Sequence, residues 1–105
     1  MKPGRGRAIL TGADIREGDF RDAHLCAIQA TQASFSECDF TDADLRYALC
    51  VGSRFTRCNF TNADLRGAVF EKADLRLSDL SGANRSTMTR PIPGGLRKAM
   101  RSVSV

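Results

Sequence analysis

The 105-residue chain has no tryptophan, one tyrosine, one histidine and three prolines. No stretch approaches the roughly 20 consecutive apolar residues of a membrane-spanning helix. The opening Met1-Lys2-Pro3-Gly4-Arg5 leads into no apolar signal core, so the expectation is an intracellular, cytoplasmic protein with no membrane partner. Cysteines stand at 26, 38, 50 and 58 with no Cys-x-x-Cys spacing, and His24 is the only histidine to help them. That set matches neither a zinc site nor a thiol redox motif, and in a reducing compartment the four thiols read as small core residues. No glycine loop suited to phosphate is present, since Gly94-Gly95 follows Pro91-Ile92-Pro93 and reads as a hinge. Nothing calls for a cofactor or a metal.

Acids are missing from both ends. Residues 6–80 hold all twelve Asp and Glu with nine Lys or Arg, net −3, whereas the flanks hold seven cations and no acid. All three prolines also lie outside 6–80. The chain therefore divides into a basic lead (1–5), an acidic body (6–84) and a basic tail (85–105) containing the Pro/Gly hinge. Within the tail, Leu96, Met100 and Val103 fall at i, i+4 and i+7, the spacing of a short amphipathic helix.

What fills the body is a period of five. In consecutive blocks from residue 6, the last place is Leu10, Ile15, Phe20, Leu25, Ala30, Phe35, Phe40, Leu45, Cys50, Phe55, Phe60, Leu65, Phe70, Leu75 and Leu80, and it takes every phenylalanine in the chain. The place two before is small throughout except at Ile28, and that block is the one where the large place shrinks to Ala30. A step of five rotates an apolar position by about 140° on a helix and flips its face on a strand, so neither element buries this pattern. It is buried only if the chain turns a corner once per block. Phe20, Phe40 and Phe60, Leu25, Leu45 and Leu65, and Phe35 with Phe55 echo at twenty residues, which is four blocks and hence four sides.

Segments such as Thr41-Asp42-Ala43-Asp44-Leu45-Arg46 and Thr61-Asn62-Ala63-Asp64-Leu65-Arg66 resemble the pentapeptide repeat family, with the resemblance covering residues 6–80. It implies an all-β fold, a right-handed quadrilateral β-helix of about four coils, and no catalytic motif. At about 4.8 Å per coil the rod is roughly 18 Å long. Arg85 occupies the next large place, so the stack is expected to end there. The core ladders are Phe20/Phe40/Phe60, Leu25/Leu45/Leu65 and Phe35/Phe55.

The place before each large residue points outward. On one side it is Asp19, Asp39, Asn59 and Asp79; on the next it is His24, Asp44 and Asp64, with Cys26, Arg46 and Arg66 one place after the leucines, where the two arginines can pair with the neighbouring Asp column. On the Leu10 side it is Ile9, Gln29, Leu49 and Val69, with Val51 on the same side and Tyr47 near its corner. These make an apolar wall, the candidate interaction surface, and Leu96, Met100 and Val103 are the candidate tail contacts. The tail, a second copy in a homodimer, or a foreign protein are its candidate occupants.

The function expected is a non-catalytic protein-interaction scaffold of unidentified partner. The alternative comes from the resemblance alone: the quinolone-resistance pentapeptide proteins imitate duplex DNA and bind DNA gyrase or topoisomerase IV. Duplex DNA carries about ten charges over an 18 Å rod, and this body nets −3, so length and charge both fall short unless copies pair into a longer rod. The cationic tail carries no nucleic-acid motif, and Tyr47 is the only residue outside the expected core suited to stacking on a base, which argues against nucleic acid as a partner.

Overall fold

In the computed structural model, residues 8–89 are described. The basic lead and the tail positions Leu96, Met100 and Val103 lie outside them. The described chain winds as a four-sided coil with a repeat of twenty. Its three strands, β1 (Asp14–Arg16), β2 (Ser34–Ser36) and β3 (Arg54–Thr56), stack in parallel in that order, with Ile15 over Phe35 over Phe55. Single-residue bridges at the same separation build the other three sides: Ile9–Gln29–Leu49–Val69, Asp19–Asp39–Asn59–Asp79 and His24–Asp44–Asp64–Asn84.

A corner once per five residues needs a backbone reversal at each one, and φ is positive at every fifth residue from Gly12 to Thr87. Only four of these positions are glycine. Most corners are closed by a bond from the small-place amide to the preceding large-place carbonyl, as in Ala43 to Phe40 at 3.0 Å and Ala63 to Phe60 at 3.0 Å. With φ positive at the third residue, this is the type II turn, where side chains other than Gly are strained. Non-glycine residues hold that conformation because ladder bonds fix the chain on both sides of the corner.

Small and large places alternate inward along each side. Large places from Ala30 to Leu80 are buried, as are the small places from Ile28 to Ser78. Buried Ile28 makes up the volume missing at Ala30. The phenylalanines stack coil on coil, Phe20–Phe40 at 4.9 Å, Phe40–Phe60 at 5.0 Å and Phe35–Phe55 at 4.9 Å, and the two columns meet edge to face at 5.3–6.2 Å. Phe20 and Leu25, expected as core, are only half-buried, because among the described residues no coil lies beneath the first.

Two further expectations are corrected. Hydrogen bonding runs past Arg85: Leu65 donates to Asn84 O, Gly67 to Ser86 O, and Thr89 to Ala68 O. Backbone ladders need no apolar side chain, so a cation in the large place ends the apolar column without ending the stack. Cys26, grouped above with the core thiols, is exposed, since it stands one place after the large residue; Cys38, Cys50 and Cys58 are buried.

The column Gly18, Cys38, Cys58, Ser78 contains no alanine for a physical reason. The corners after β1, β2 and β3 are open bends. There, a side chain from the next coil replaces the missing turn bond. Ser78 Oγ accepts the Cys58 amide at 3.1 Å and donates to Phe55 O at 2.6 Å. Cys38 Sγ accepts the Gly18 amide at 3.4 Å and donates to Ile15 O at 3.5 Å, and Cys58 Sγ donates to Phe35 O at 3.3 Å. Burial pushes the Cys38 thiol up and those of Cys50 and Cys58 up to about 12. A thiol-specific reagent at neutral pH is therefore expected to modify Cys26 alone in the native protein and all four cysteines after unfolding. Two or more fast-reacting thiols in the folded state would contradict the placement.

Candidate protein-interaction surface

Three of the four sides are polar for a local reason. The outward Asp or Asn accepts from the residue two places on, which lies just before the corner. Asp39 Oδ1 accepts both the Thr41 amide (3.0 Å) and its hydroxyl (2.5 Å), and Asn59 and Asp79 hold Thr61 and Ser81 in the same way. Where the second residue is arginine, the pair is bidentate: Arg21 on Asp19, Arg46 on Asp44, Arg66 on Asp64 and Arg76 on Asp74. Arg16 approaches Asp14 at 3.5 Å. The carboxylates thus stabilise corners as well as coating the surface. The sequence signal was present, since Asp-x-Arg recurs five times in phase with the repeat.

The arginine beside it holds the Asp19 carboxyl down at about 2, and Arg46, Arg66 and Arg76 likewise lower Asp44, Asp64 and Asp74. A carboxyl depressed in the folded state contributes stability above its unfolded value of about 3.9, and that contribution is lost as pH falls through the folded value. The urea midpoint is therefore expected to hold from pH 7 to about 5 and to decline between about 4 and 2, shallowly because the pairs are exposed. A midpoint that rises over that acid range would contradict these pairings.

The fourth side differs. Its ladder places Ile9, Gln29, Leu49 and Val69 one above another. Ile9 is 70% exposed and Leu49 42%, while Val51 and Val69 are half-buried. Tyr47, 60% exposed, stands at the corner leading into this side. Its ring lies against Gly67 on the coil above, where a Cβ would come within 2.5 Å of the ring. Gly67 also has a positive φ, so both the close approach and the turn call for glycine. Leu77, 58% exposed, was not singled out from the sequence. It stands at the corner diagonally opposite Tyr47 and is not part of this wall. His24 is exposed in the polar ladder next to the wall.

Among the described residues no group of three His, Cys, Asp or Glu side chains is placed to hold a metal ion, and no helix is long and apolar enough to cross a membrane. The geometry offers columns of side chains on a straight backbone lattice. A sequence profile described as pentapeptide repeats matches residues 27–62 and 53–84. The chain belongs to the pentapeptide repeat family.

Solved pentapeptide repeat structures agree, and with them the fold is the right-handed quadrilateral β-helix. Rfr23, a pentapeptide repeat protein from the cyanobacterium Cyanothece 51142, superposes with a TM-score of 0.77 at 25% identity, over 91% of this chain and 58% of its own. QnrB1, a plasmid-mediated fluoroquinolone resistance protein, superposes in one trypsin-treated variant form with a TM-score of 0.63 at 26% identity, over 73% of this chain and 42% of its own. A second trypsin-treated variant of QnrB1 gives 0.58 at 23% identity, over 79% of this chain and 56% of its own. This chain therefore spans about half the length of these proteins. No curated protein matches its sequence.

Proposed function

We propose that this pentapeptide repeat protein is a non-catalytic scaffold that binds another protein through the wall of Ile9, Leu49, Val51 and Val69, with Tyr47 at its edge. One observation carries the reading: on the side where the outward ladder lacks Asp and Asn, three of its four rungs, Ile9, Leu49 and Val69, are aliphatic and sit, with exposed Gln29 between Ile9 and Leu49, on the same rigid backbone lattice as the polar sides. Family members are generally structural repeat proteins without catalytic activity. The outward carboxylates Asp39, Asp44, Asp64 and Asp74 are engaged at corners rather than gathered in a closed pocket, the setting that tuned acid–base chemistry needs. Four unpaired thiols fit a reducing compartment such as the cytoplasm.

The test is a binding measurement between the purified chain and a partner first captured by cross-linking in cells. An Ile9→Asp/Leu49→Asp double variant, which changes exposed side chains only, is expected to bind at least tenfold more weakly. Leu77→Asp, on the opposite corner, is expected to bind as the unmodified chain does. The reverse pattern would place the interaction on another side.

The structural likeness to QnrB1 supports a second reading, imitation of DNA toward gyrase or topoisomerase IV. The column Asp19, Asp39, Asn59, Asp79 is regular, but it provides one group per coil and Asp19 is neutralised by Arg21. A duplex presents a phosphate about every 1.7 Å along its axis. Gyrase supercoiling left untouched by micromolar protein would remove this reading.

A further inference from the structure

We propose that a second copy of this chain docks on the wall, antiparallel to the first, about a twofold axis that runs along the row Tyr47, Leu49, Val51. The inference rests on the reading of the wall as an interaction surface and names one partner that the surface fits.

The apolar residues of the wall are concentrated on one coil. Tyr47, Leu49 and Val51 alternate with buried Ala48 and Cys50, so they cross the whole side in a single outward row. That row is the middle of the side. Ile9 and Gln29 lie on the two coils below it, and Val69 and Thr89 on the two above, Thr89 being held there by its amide bond to Ala68 O at 3.0 Å. A surface that pairs with itself about a twofold axis must be self-complementary. An axis along this row sets Tyr47, Leu49 and Val51 each against its own counterpart, Gln29 against the partner's Val69, and Ile9 against the partner's Thr89. Shape agrees at both edges. The Tyr47 ring leans over Gly67, one coil up, and there it meets the small Ala27 of the partner. At the other edge the row ends in Gly52, which raises no side chain, and the charges on the coil above it, Glu71 and Lys72, face the partner's Thr31 and Gln32.

Charge selects the antiparallel arrangement. The coil is polarised along its axis: residues 8–49 hold eight acids against three arginines, net −5, and residues 50–89 hold four acids against six cations, net +2. Antiparallel docking lays the acidic half of each copy beside the basic half of the other, whereas parallel docking sets like halves together. Size sets the strength. From Ile9 to Thr89 the side is four coil spacings, about 19 Å high, so the contact falls at the low end of protein interfaces, below about 1,200 Å² in total, where complexes are weak and transient. The dimer therefore forms and parts reversibly, and at low concentration the wall is free for a foreign protein.

Sedimentation of the full chain over a concentration series tests this. The mass is expected to rise from monomer at low micromolar concentration toward dimer near millimolar. Leu49→Asp, which sets two carboxylates face to face on the axis without touching the core, is expected to weaken association roughly tenfold or more. Leu77→Asp is expected to leave it unchanged. Orientation is read by cross-linking in a Cys26→Ser background. Leu49→Cys is expected to give disulfide-linked dimers on air oxidation, and Ile9→Cys none, because its counterpart lies about 19 Å away along the rod. A monomer at every concentration would overturn the proposal, as would association that persists undiminished in Leu49→Asp. Linked dimers from Ile9→Cys as readily as from Leu49→Cys would mean parallel copies and overturn it as well. Each of these failures leaves the partner-binding test standing, since a wall without a second copy can still take a foreign protein. Failure of the function reading shows separately, as Ile9→Asp/Leu49→Asp binding its captured partner normally.

Discussion

Phe40→Ala is expected to lower the stability of the chain by about 3 to 5 kcal/mol, the cost of deleting a well-packed ring. The ring is fully buried and touches four others, stacked between Phe20 and Phe60 and edge-on to Phe35 and Phe55 at 5.6 and 6.0 Å. Neighbouring backbone is held by ladder bonds on both sides, so the coil cannot collapse into the cavity. Domains of this size are stable by about 5 to 15 kcal/mol, which makes the loss a large share of the total. Phe20→Ala should cost clearly less, because Phe20 lies in the first coil and is only half-buried. Equal denaturation midpoints for Phe40→Ala and the parent chain would contradict the stacking.

Ser78→Ala is expected to cost about 2 to 4 kcal/mol, although it removes a single oxygen from a position where size alone would be expected to matter. Its hydroxyl completes the open corner below, holding the Cys58 amide and the Phe55 carbonyl. Truncation leaves both buried and unpaired, at about 1 to 3 kcal/mol per orphaned group. Ser78→Cys should recover part of the loss, as thiols do the same work at Cys38 and Cys58. Ser53→Ala is the control. The Ser53 hydroxyl bonds to Cys50 O, which already accepts the Ser53 amide, so its loss orphans nothing and should cost under about 1 kcal/mol. Identical midpoints for Ser78→Ala and Ser53→Ala would show that the open corners satisfy their backbone some other way.

The architecture was legible because the period of five leaves one economical solution. Inward Phe and Leu columns and small residues two places before them cannot be buried by a straight helix or strand, and the echo at twenty fixes the number of sides. Three things were harder to read. Arg85 looked like an end because the apolar column stops there, but main-chain bonds continue to Thr89. The column Gly18, Cys38, Cys58, Ser78 looked merely small; that its thiols and hydroxyl bridge coils depends on which corners are open, a property of the backbone. The Asp-x-Arg pairs were visible as letters, but their place at the corners emerged only once the coil was closed. As for the wall, the places of Ile9, Leu49 and Val69 and of Tyr47 at its corner follow directly from the repeat, whereas the packing of the Tyr47 ring against Gly67 depends on the closed coil.

A binding wall of this kind differs from an exposed loop in being rigid before any partner arrives, and native-state hydrogen exchange tests that most directly. The Leu49 and Val69 amides donate to Ile28 O and Ala48 O at 2.9 and 2.8 Å. They should exchange only through global unfolding, as slowly as those of buried Phe40 and Leu65, and Phe40→Ala should accelerate all four together. Fast exchange at Leu49 and Val69 while Phe40 and Leu65 stay protected would make the wall a locally mobile strip and contradict the account of it as a preformed surface.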